Sequence, residues 1–216
     1  VFDAPELVWP TDAAAVYRRL PAPEGTRRYA VAVATNHEGP DCEAAAMTLA
    51  TAADWDALCA AHRAWWQAFW ARSGVQLDDA AVEQCWYAGQ YLIACCSRNP
   101  RFPMGLFGNF VTHDHAPWHG DYHLNYNYQA PFYPLCSSNH PELARNFPAP
   151  FADFAPRARQ FAREFLGCRG VYYPVGIGPR GFDTARRSFC VEHGELFLGQ
   201  KINAANVADV MSMIWH

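Results

Sequence analysis

Several features are scarce or absent in this sequence of 216 residues, and each absence excludes a class of protein. No apolar run reaches the ~18 residues that cross a bilayer, so no membrane span is predicted. Lys and Arg number 17 against 21 Asp and Glu, and basic residues cluster no further than pairs such as Arg27-Arg28 and Arg186-Arg187. The sequence therefore lacks the basic footprint of a protein that binds nucleic acid or an anionic membrane.

The eight cysteines form no CxxC motif, which removes the usual sequence signature of a redox pair or a structural zinc site. Cys59, Cys85 and Cys96 fall on or beside apolar helical stripes. We expect most cysteines to be small buried side chains, with disulfides possible only if the protein is exported. The composition, 51% hydrophobic and 15% aromatic, is that of a globular protein.

Both ends of the sequence predict an internal fragment of a longer protein. The chain starts at Val1 without an initiator Met, and it stops at His216 inside a helical pattern formed by Val207, Val210 and Ile214. We therefore expect part of any site to lie beyond His216.

The first fifty residues are predicted to be β. Tyr29, Val31 and Val33 alternate with alanines before a turn at residues 36–41, and residues 42–51 are predicted to be the returning strand. The prediction is that residues 1–50 form the C-terminal strands of a preceding β-sandwich domain.

From Thr51 onward the pattern predicts helices. Residues 51–77 are predicted to be a linker helix that starts at a capping box, Thr51 to Asp54, and ends near Gly74. Residues 78–216 are predicted to be the N-terminal part of a helical domain. Its helices are expected from Asp78 to Asn99-Pro100, around Phe154 to Phe165 with Gly167 as terminator, and from Ile202 onward. The fold class is mainly α, with long loops that would build a site.

Residues 118–142 mix aromatic and polar side chains in a way that suits a sugar. Aromatic rings offer flat faces to the C–H side of a pyranose, and amides and carboxylates bind hydroxyls. The alternative is a buried aromatic core with a few capped polar groups. The aromatic residues are Trp118, Tyr122, Tyr126, Tyr128, Phe132 and Tyr133, and the polar ones are Asp121, His123, Asn125, Asn127 and Gln129.

Two local patterns resemble the glycoside hydrolase family 95 catalytic domain, a six-hairpin glycosidase typified by inverting α-L-fucosidases. The first pattern includes Tyr91-Leu92-Ile93, Ser97-Arg98 and the stretch from Pro103 to Phe110. The second runs without a gap from Asn125-Tyr-Asn127-Tyr-Gln129 through Pro134 to Asn139-His-Pro-Glu142, after Trp118 and Tyr122. The resemblance covers residues 27–216 and implies an incomplete (α/α)6 barrel.

The resemblance also implies a mechanism and a site. Asn125 and Asn127 would hold the water that attacks the anomeric carbon with inversion, and a carboxylate on a later helix would orient them. A turn-capping role for these asparagines is the alternative. The substrate-binding residues would be Trp118, Asp121, Tyr122, His123, Gln129 and Tyr133. No cofactor is implied, the substrate is an oligosaccharide or polysaccharide, and a periplasmic or extracellular location is expected.

The chain departs from the family pattern at several positions. Gly105 and Phe107 stand where the family has polar Asn and Gln, and Ala130-Pro131 replaces its Met-Asn. Alignment places Trp215 or His216 at the position of the general acid. Asp121, Glu192 and Glu195 are the alternatives within the chain, although each is an ordinary loop carboxylate by composition.

Three other functions compete with hydrolysis. A non-catalytic carbohydrate-binding relative would keep the aromatic residues and lose the acid. A metal-binding enzyme would use the cluster from His113 to His123, which includes Asp114, His115, His119 and Asp121. A dinucleotide site at Gly176-Ile-Gly178-Pro-Arg-Gly181 is disfavoured because Pro179 lacks an N–H, and glycines needed for positive φ explain this motif better.

Overall fold

A computed structural model describes residues 7–8, 17–18, 24–26, 28–36, 39–110, 117–184 and 200–215. The chain divides into two compact units, Val1–Gln67 and Ala68–His216. The described part is mainly helical, as predicted. The domain bounds drawn from the sequence at residues 50 and 77 stay predictions. No described helix is both long enough and apolar enough to span a membrane.

In the first unit a two-stranded antiparallel sheet precedes a helix. Strand β1 (Leu7–Val8) pairs with β2 (Tyr17–Arg18). Helix α1 spans Cys42–Thr51, so the returning strand predicted there is wrong. The Asp41 carboxylate accepts a hydrogen bond from the Ala44 N–H, and this N-cap with the following alanines favours a helix over a strand.

The strand predicted from the alternating side chains at residues 29–33 is also wrong. No strand is assigned within residues 28–36, and the side chains of Tyr29, Val31 and Val33 are exposed. Helix α2 follows at Trp55–Trp70, where a helix was predicted. Asp54 caps it through Asp56 N and Ala57 N, so the capping residue is Asp54 and Thr51 instead closes α1.

The second unit contains the other helices that the sequence predicts. Helix α3 spans Ala80–Cys96 and is capped by Asp79. Helix α4 is a short helix at Tyr133–Ser137, α5 spans Ala149–Leu166, and α6 spans Asn203–Trp215. Gly167 ends α5 in the left-handed conformation with φ of 62°, which confirms it as terminator. Strands β3 (Tyr122–His123) and β4 (Gly176–Ile177) pair antiparallel.

An aromatic core holds the second unit together. Helix α5 buries a face with helical spacing, made by Phe151, Phe154, Ala158, Phe161 and Ala162. Tyr128, Phe132 and Phe147 pack beside that face with ring centroids about 5 Å apart. The loop that precedes α5 is therefore fixed by aromatic packing at several points.

The cysteines correct one expectation. Of the seven that the structure describes, only Cys96 is buried, and none is in a disulfide. Helix α3 likewise buries only Gln90, Ala94 and Cys96, while Val82 and Leu92 on its apolar face are exposed. Only some of the apolar residues at helical spacing in α3 are therefore buried.

Candidate active site

The β3–β4 pair is the support on which the candidate site is built. Tyr122 is opposite Ile177 and His123 is opposite Gly176. One residue further on, the Leu124 N–H donates to the Val175 carbonyl oxygen at 2.6 Å. Leu124, Val175 and Ile177 are all fully buried, so the start of the loop that follows β3 is held in the core.

Residues 123–130 form a compact loop with a buried side and an exposed side. The Tyr128 N–H donates to the His123 carbonyl oxygen at 2.9 Å, and Gln129 N–H donates to Tyr126 oxygen at 3.1 Å. Gln129 Nε2 also donates to the Leu124 carbonyl oxygen at 2.5 Å. These bonds fix the loop while its outer residues stay accessible.

The outer side of this loop carries the two predicted catalytic amides. Asn125 is half-buried, Asn127 is exposed, and Tyr126 between them is 64% exposed. Among the residues that the structure describes, neither asparagine side chain has a hydrogen-bond partner. The alternative, that they cap a turn, therefore has no support in the described contacts.

Asp121 and His123 form a buried acid–imidazole pair at the base of the loop. His123 Nδ1 lies 3.1 Å from Asp121 Oδ1, and both side chains are at least nine-tenths buried. When Nδ1 carries the proton, it donates this hydrogen bond to the Asp121 carboxylate. The pair fixes the imidazole ring, whose centroid lies 5.9 Å from that of Trp118.

Gly176 explains why the glycine motif of residues 176–181 occurs beside this pair. A Cβ on Gly176 would overlap the Asp121 carboxylate and would lie 2.8 Å from Thr184 Oγ1. Gly181 has φ of 71° and its missing Cβ would lie 2.6 Å from the Asp153 carbonyl oxygen. The interpretation that these glycines serve positive φ is confirmed for Gly181 and is wrong for Gly176 and Gly178, whose φ is not positive; at Gly176 the close approach of Asp121 requires glycine instead.

An exposed aromatic pair lies next to the imidazole. Trp118 is 48% exposed, and its ring stacks on Phe107 with centroids 6.2 Å apart and planes 19° from parallel. Trp118 has φ of 48°, an unusual conformation for a bulky residue and one found most often at functional sites. Phe107 replaces a polar residue of the resembled pattern, and no sequence signal indicated that it would contact Trp118.

Other aromatic residues of the predicted site lie in the core. Tyr122 is buried against Tyr128, and its hydroxyl donates to the Pro103 carbonyl oxygen at 3.3 Å. Burial raises the pKa of the Tyr122 hydroxyl, with a smaller contribution from Asp153. Gln129 is 1% exposed. The placement of Tyr122 and Gln129 fits packing and loop support, and their contact with substrate stays a prediction.

Tyr133 contacts the carboxylate of Asp209, which the sequence pattern did not identify as a site residue. Its hydroxyl donates to Asp209 Oδ2 on α6 at 3.3 Å. Partial desolvation raises the pKa of Tyr133, and the Asp209 charge and hydrogen bond add to the shift. Asp209 is 76 residues from Tyr133 in the chain, so only the tertiary fold could reveal the pair.

A second polar cluster is centred on His140 and Glu142, which follow the aromatic segment in the chain. His140 is fully buried, stacks on Phe69 at 3.8 Å, and approaches Glu142 Oε1 with Nδ1 at 3.2 Å. Arg72 Nη1 lies 2.8 Å from the same oxygen. Burial is the largest single influence and acts to raise the pKa of Glu142, but hydrogen bonds from its backbone, His140 and Arg72 together lower it.

Other predicted ligands and carboxylates lie outside the described residues. These are His113, Asp114, His115, Glu192, Glu195 and His216, together with the side chain of His119. In the part of the chain that the structure describes, no three His, Cys, Asp or Glu side chains are close enough to bind a metal ion together. Trp215 is described and is 88% exposed.

Exposed amide and aromatic side chains, as at Asn127 and Tyr126, are suited to a carbohydrate ligand. Residues 67–187, more than half of the chain, match the glycosyl hydrolase family 95 catalytic domain, and the chain belongs to that family. The family implies a glycoside hydrolase and a carbohydrate substrate. No curated protein and no solved structure is significantly similar to this chain.

Proposed function

We propose that this protein is an inverting glycoside hydrolase that removes a terminal α-L-fucosyl or α-L-galactosyl residue from an oligosaccharide or polysaccharide. The observation that carries the proposal is the loop of residues 123–130. It is fixed by buried neighbours, and its accessible side presents Asn125 and Asn127 without partners among the described residues. Two amides fixed in this way are suited to orient one small polar molecule.

The asparagines orient the attacking water in this proposal. Each amide oxygen accepts a hydrogen bond from the water, which then attacks the anomeric carbon opposite the leaving oxygen. A carboxylic acid protonates the leaving oxygen, and inversion requires the two groups to stand roughly 6.5 to 9.5 Å apart. An amide is a poor base, so a carboxylate takes the water proton; the resemblance assigns it to a later helix.

The buried Asp121–His123 pair and the exposed Trp118–Phe107 pair have separate roles. Asp121 and His123 form a polar wall beside Trp118 that binds sugar hydroxyls in this proposal. Trp118 and Phe107 give the flat apolar surface on which a pyranose ring stacks. Tyr133, held by Asp209, is placed to bind a hydroxyl at the other end of the segment.

The same proposal includes an architecture and a location. The helices of the second unit are the N-terminal part of an (α/α)6 barrel of the six-hairpin type, preceded by the last strands of a β-sandwich. The fold class supports this assignment only at the level of a mainly helical domain. The expected location is periplasmic or extracellular.

A non-catalytic carbohydrate-binding protein is the second candidate. It is favoured by the departures from the family pattern, chiefly the exposed Trp215 at the aligned position of the acid. Such a protein would keep the stacking surface and lose turnover. The two candidates differ only in whether bound sugar is released.

A substrate panel separates them. The full-length protein is incubated with α-L-fucosides, α-L-galactosides and other terminal glycosides, and released sugar is measured alongside binding. Release that Asn127→Ala abolishes supports the hydrolase. Binding without release, unchanged in Asn127→Ala, supports the binding protein. Neither release nor binding from any glycoside contradicts both.

A further inference from the structure

An open surface cavity of about 400 Å³, whose lining residues are all exposed, lies at the C-terminal half of α5, away from the residues assigned above. Its lining is Arg159, Arg163, Arg169, Gly170 and Val171. Three of these five residues are arginines, and no carboxylate is among them. The volume falls within the ~300–1,000 Å³ range of small-molecule sites.

The local fold explains how three arginines come to surround one space. Arg159 and Arg163 are four residues apart on α5 and so lie on the same face of the helix. Gly167 ends the helix and reverses the chain, and the Tyr172 N–H donates to the Ala158 carbonyl oxygen at 2.9 Å. This return places residues 169–171 against the face that carries the two helical arginines.

The charges of these arginines are not balanced within the described residues. Arg157, on the same helix, binds Asp183 at 3.2 Å. Arg159, Arg163 and Arg169 have no such ion pair in the ranges that the structure describes. Like charges four residues apart destabilise a helix, and the negative C-terminal end of α5 compensates chiefly for Arg163 in the last turn.

We infer that this cavity binds the anionic group of an acidic glycan, a carboxylate or a sulfate ester on the substrate chain, and the inference rests on the proposed function. Guanidinium groups bind oxyanions with two parallel hydrogen bonds. Val171 and the aliphatic stems of the arginines add apolar surface, which suits a sugar ring that carries the anion better than a free inorganic ion.

The connection to the candidate active site fits one extended ligand. Residues 171–175 run from the cavity to the carbonyl of Val175, which accepts the Leu124 N–H at the start of the asparagine loop. Gly176 is six positions after Gly170, so the two places are at most roughly 20 Å apart along the chain. An oligosaccharide of a few residues has the length to contact both.

Calorimetric titration of the full-length protein tests this inference. The ligands are a sulfated oligosaccharide, a uronic-acid oligosaccharide, a neutral oligosaccharide of equal length and inorganic sulfate. We expect an acidic oligosaccharide to bind at least ~10-fold more tightly than the neutral one, with an affinity that falls as salt rises. The double variant Arg159→Gln/Arg163→Gln should lose that advantage.

Arg145→Gln is the matched control, because Arg145 is an exposed arginine of the same unit outside the cavity. It should leave the preference for acidic ligands unchanged. Equal affinity for neutral and acidic oligosaccharides, or an equal loss in the control, would overturn the inference. So would inorganic sulfate binding as tightly as the sulfated oligosaccharide, since the site would then recognise the ion alone.

The outcome is separable from the proposed hydrolysis. Hydrolysis of neutral glycosides with no preference for acidic ligands would remove the anion site and leave the proposed function standing. Binding of acidic oligosaccharides that depends on Arg159 and Arg163, without release of sugar from any substrate, would support the site and contradict the hydrolase.

Discussion

The two sides of residues 121–133 differ in almost every physical respect. On the inner side Tyr128 and Phe132 are 1% exposed and pack among other rings. On the outer side Tyr126 and Asn127 are exposed, and the asparagine has no partner among the described residues. The comparison teaches that aromatic content alone does not mark a sugar site, because Tyr122, Tyr128 and Phe132 are buried and hold the loop, while Tyr126 faces outward.

The largest expected effect is on the inner side. Phe132→Ala removes a fully buried ring that contacts Tyr128 and Phe147, and should lower the free energy of unfolding by about 3–5 kcal/mol. Urea unfolding measures it. Tyr126→Ala is the control, since a 64% exposed ring should change stability by less than ~0.5 kcal/mol. Equal losses in both variants would remove the distinction between the two sides.

The second-largest expected effect is a loss of activity caused by substitutions on the outer side of the loop. Asn125→Ala and Asn127→Ala should each lower kcat/KM by well over ~100-fold, about 2.7 kcal/mol of transition-state stabilisation, with the melting temperature nearly unchanged. Steady-state kinetics with thermal melts measures both quantities. Asn109→Ala, at another exposed asparagine, should leave the kinetics alone. A stability loss as large as the activity loss would mean that the amides are structural.

Gly176 tests whether the buried pair connects the two sides. Gly176→Ala places a methyl group against the Asp121 carboxylate, so Asp121 must move and His123 loses its orientation. We expect roughly a tenfold loss of kcat/KM, because the imidazole is no longer held by a carboxylate. Gly89→Ala, where a Cβ meets open space, is the control. An unchanged kcat/KM would separate the pair from the reaction.

The smallest effect is the acid dependence of stability. The pKa of Glu142 is lower in the folded protein than its ordinary value of 4.5. A lowered folded pKa contributes stability that is present above about pH 4.5 and is lost as pH falls through the folded pKa. Wild type should therefore be more stable than Glu142→Gln at neutral pH, and the difference should shrink as the pH falls below 4.5. A difference that does not depend on pH would assign the effect to packing.

Helices could be predicted from sequence where periodicity and caps agree. Helix α5 has both, with its apolar spacing and Gly167, and α3 has Asp79 and a stop before Pro100. The strand prediction for residues 42–51 was wrong because an alanine-rich run is compatible with both the strand pattern and the helix pattern. Asp41 was the signal that should have decided for a helix, since a side-chain cap acts locally.

The site could be predicted only where it is continuous in sequence. Asn125 and Asn127 could be singled out from a continuous pattern, and their catalytic role stays a prediction. The direction in which Tyr122 and Gln129 face depends on packing against distant segments, which residue type does not encode. Phe107 lies 11 residues from Trp118 in the chain, Asp209 lies 76 residues from Tyr133, and Gly176 lies 53 residues from His123. Only the tertiary structure reveals these three contacts.

Proton NMR of the sugar released by the full-length protein from α-linked L-fucosides and L-galactosides tests the central claim most directly. The proposal predicts that the β-anomer appears first, because water held by Asn125 and Asn127 attacks opposite the leaving oxygen. The α-anomer appearing first would mean retention through a covalent intermediate, and it would contradict the assignment of the two asparagines as holders of the attacking water.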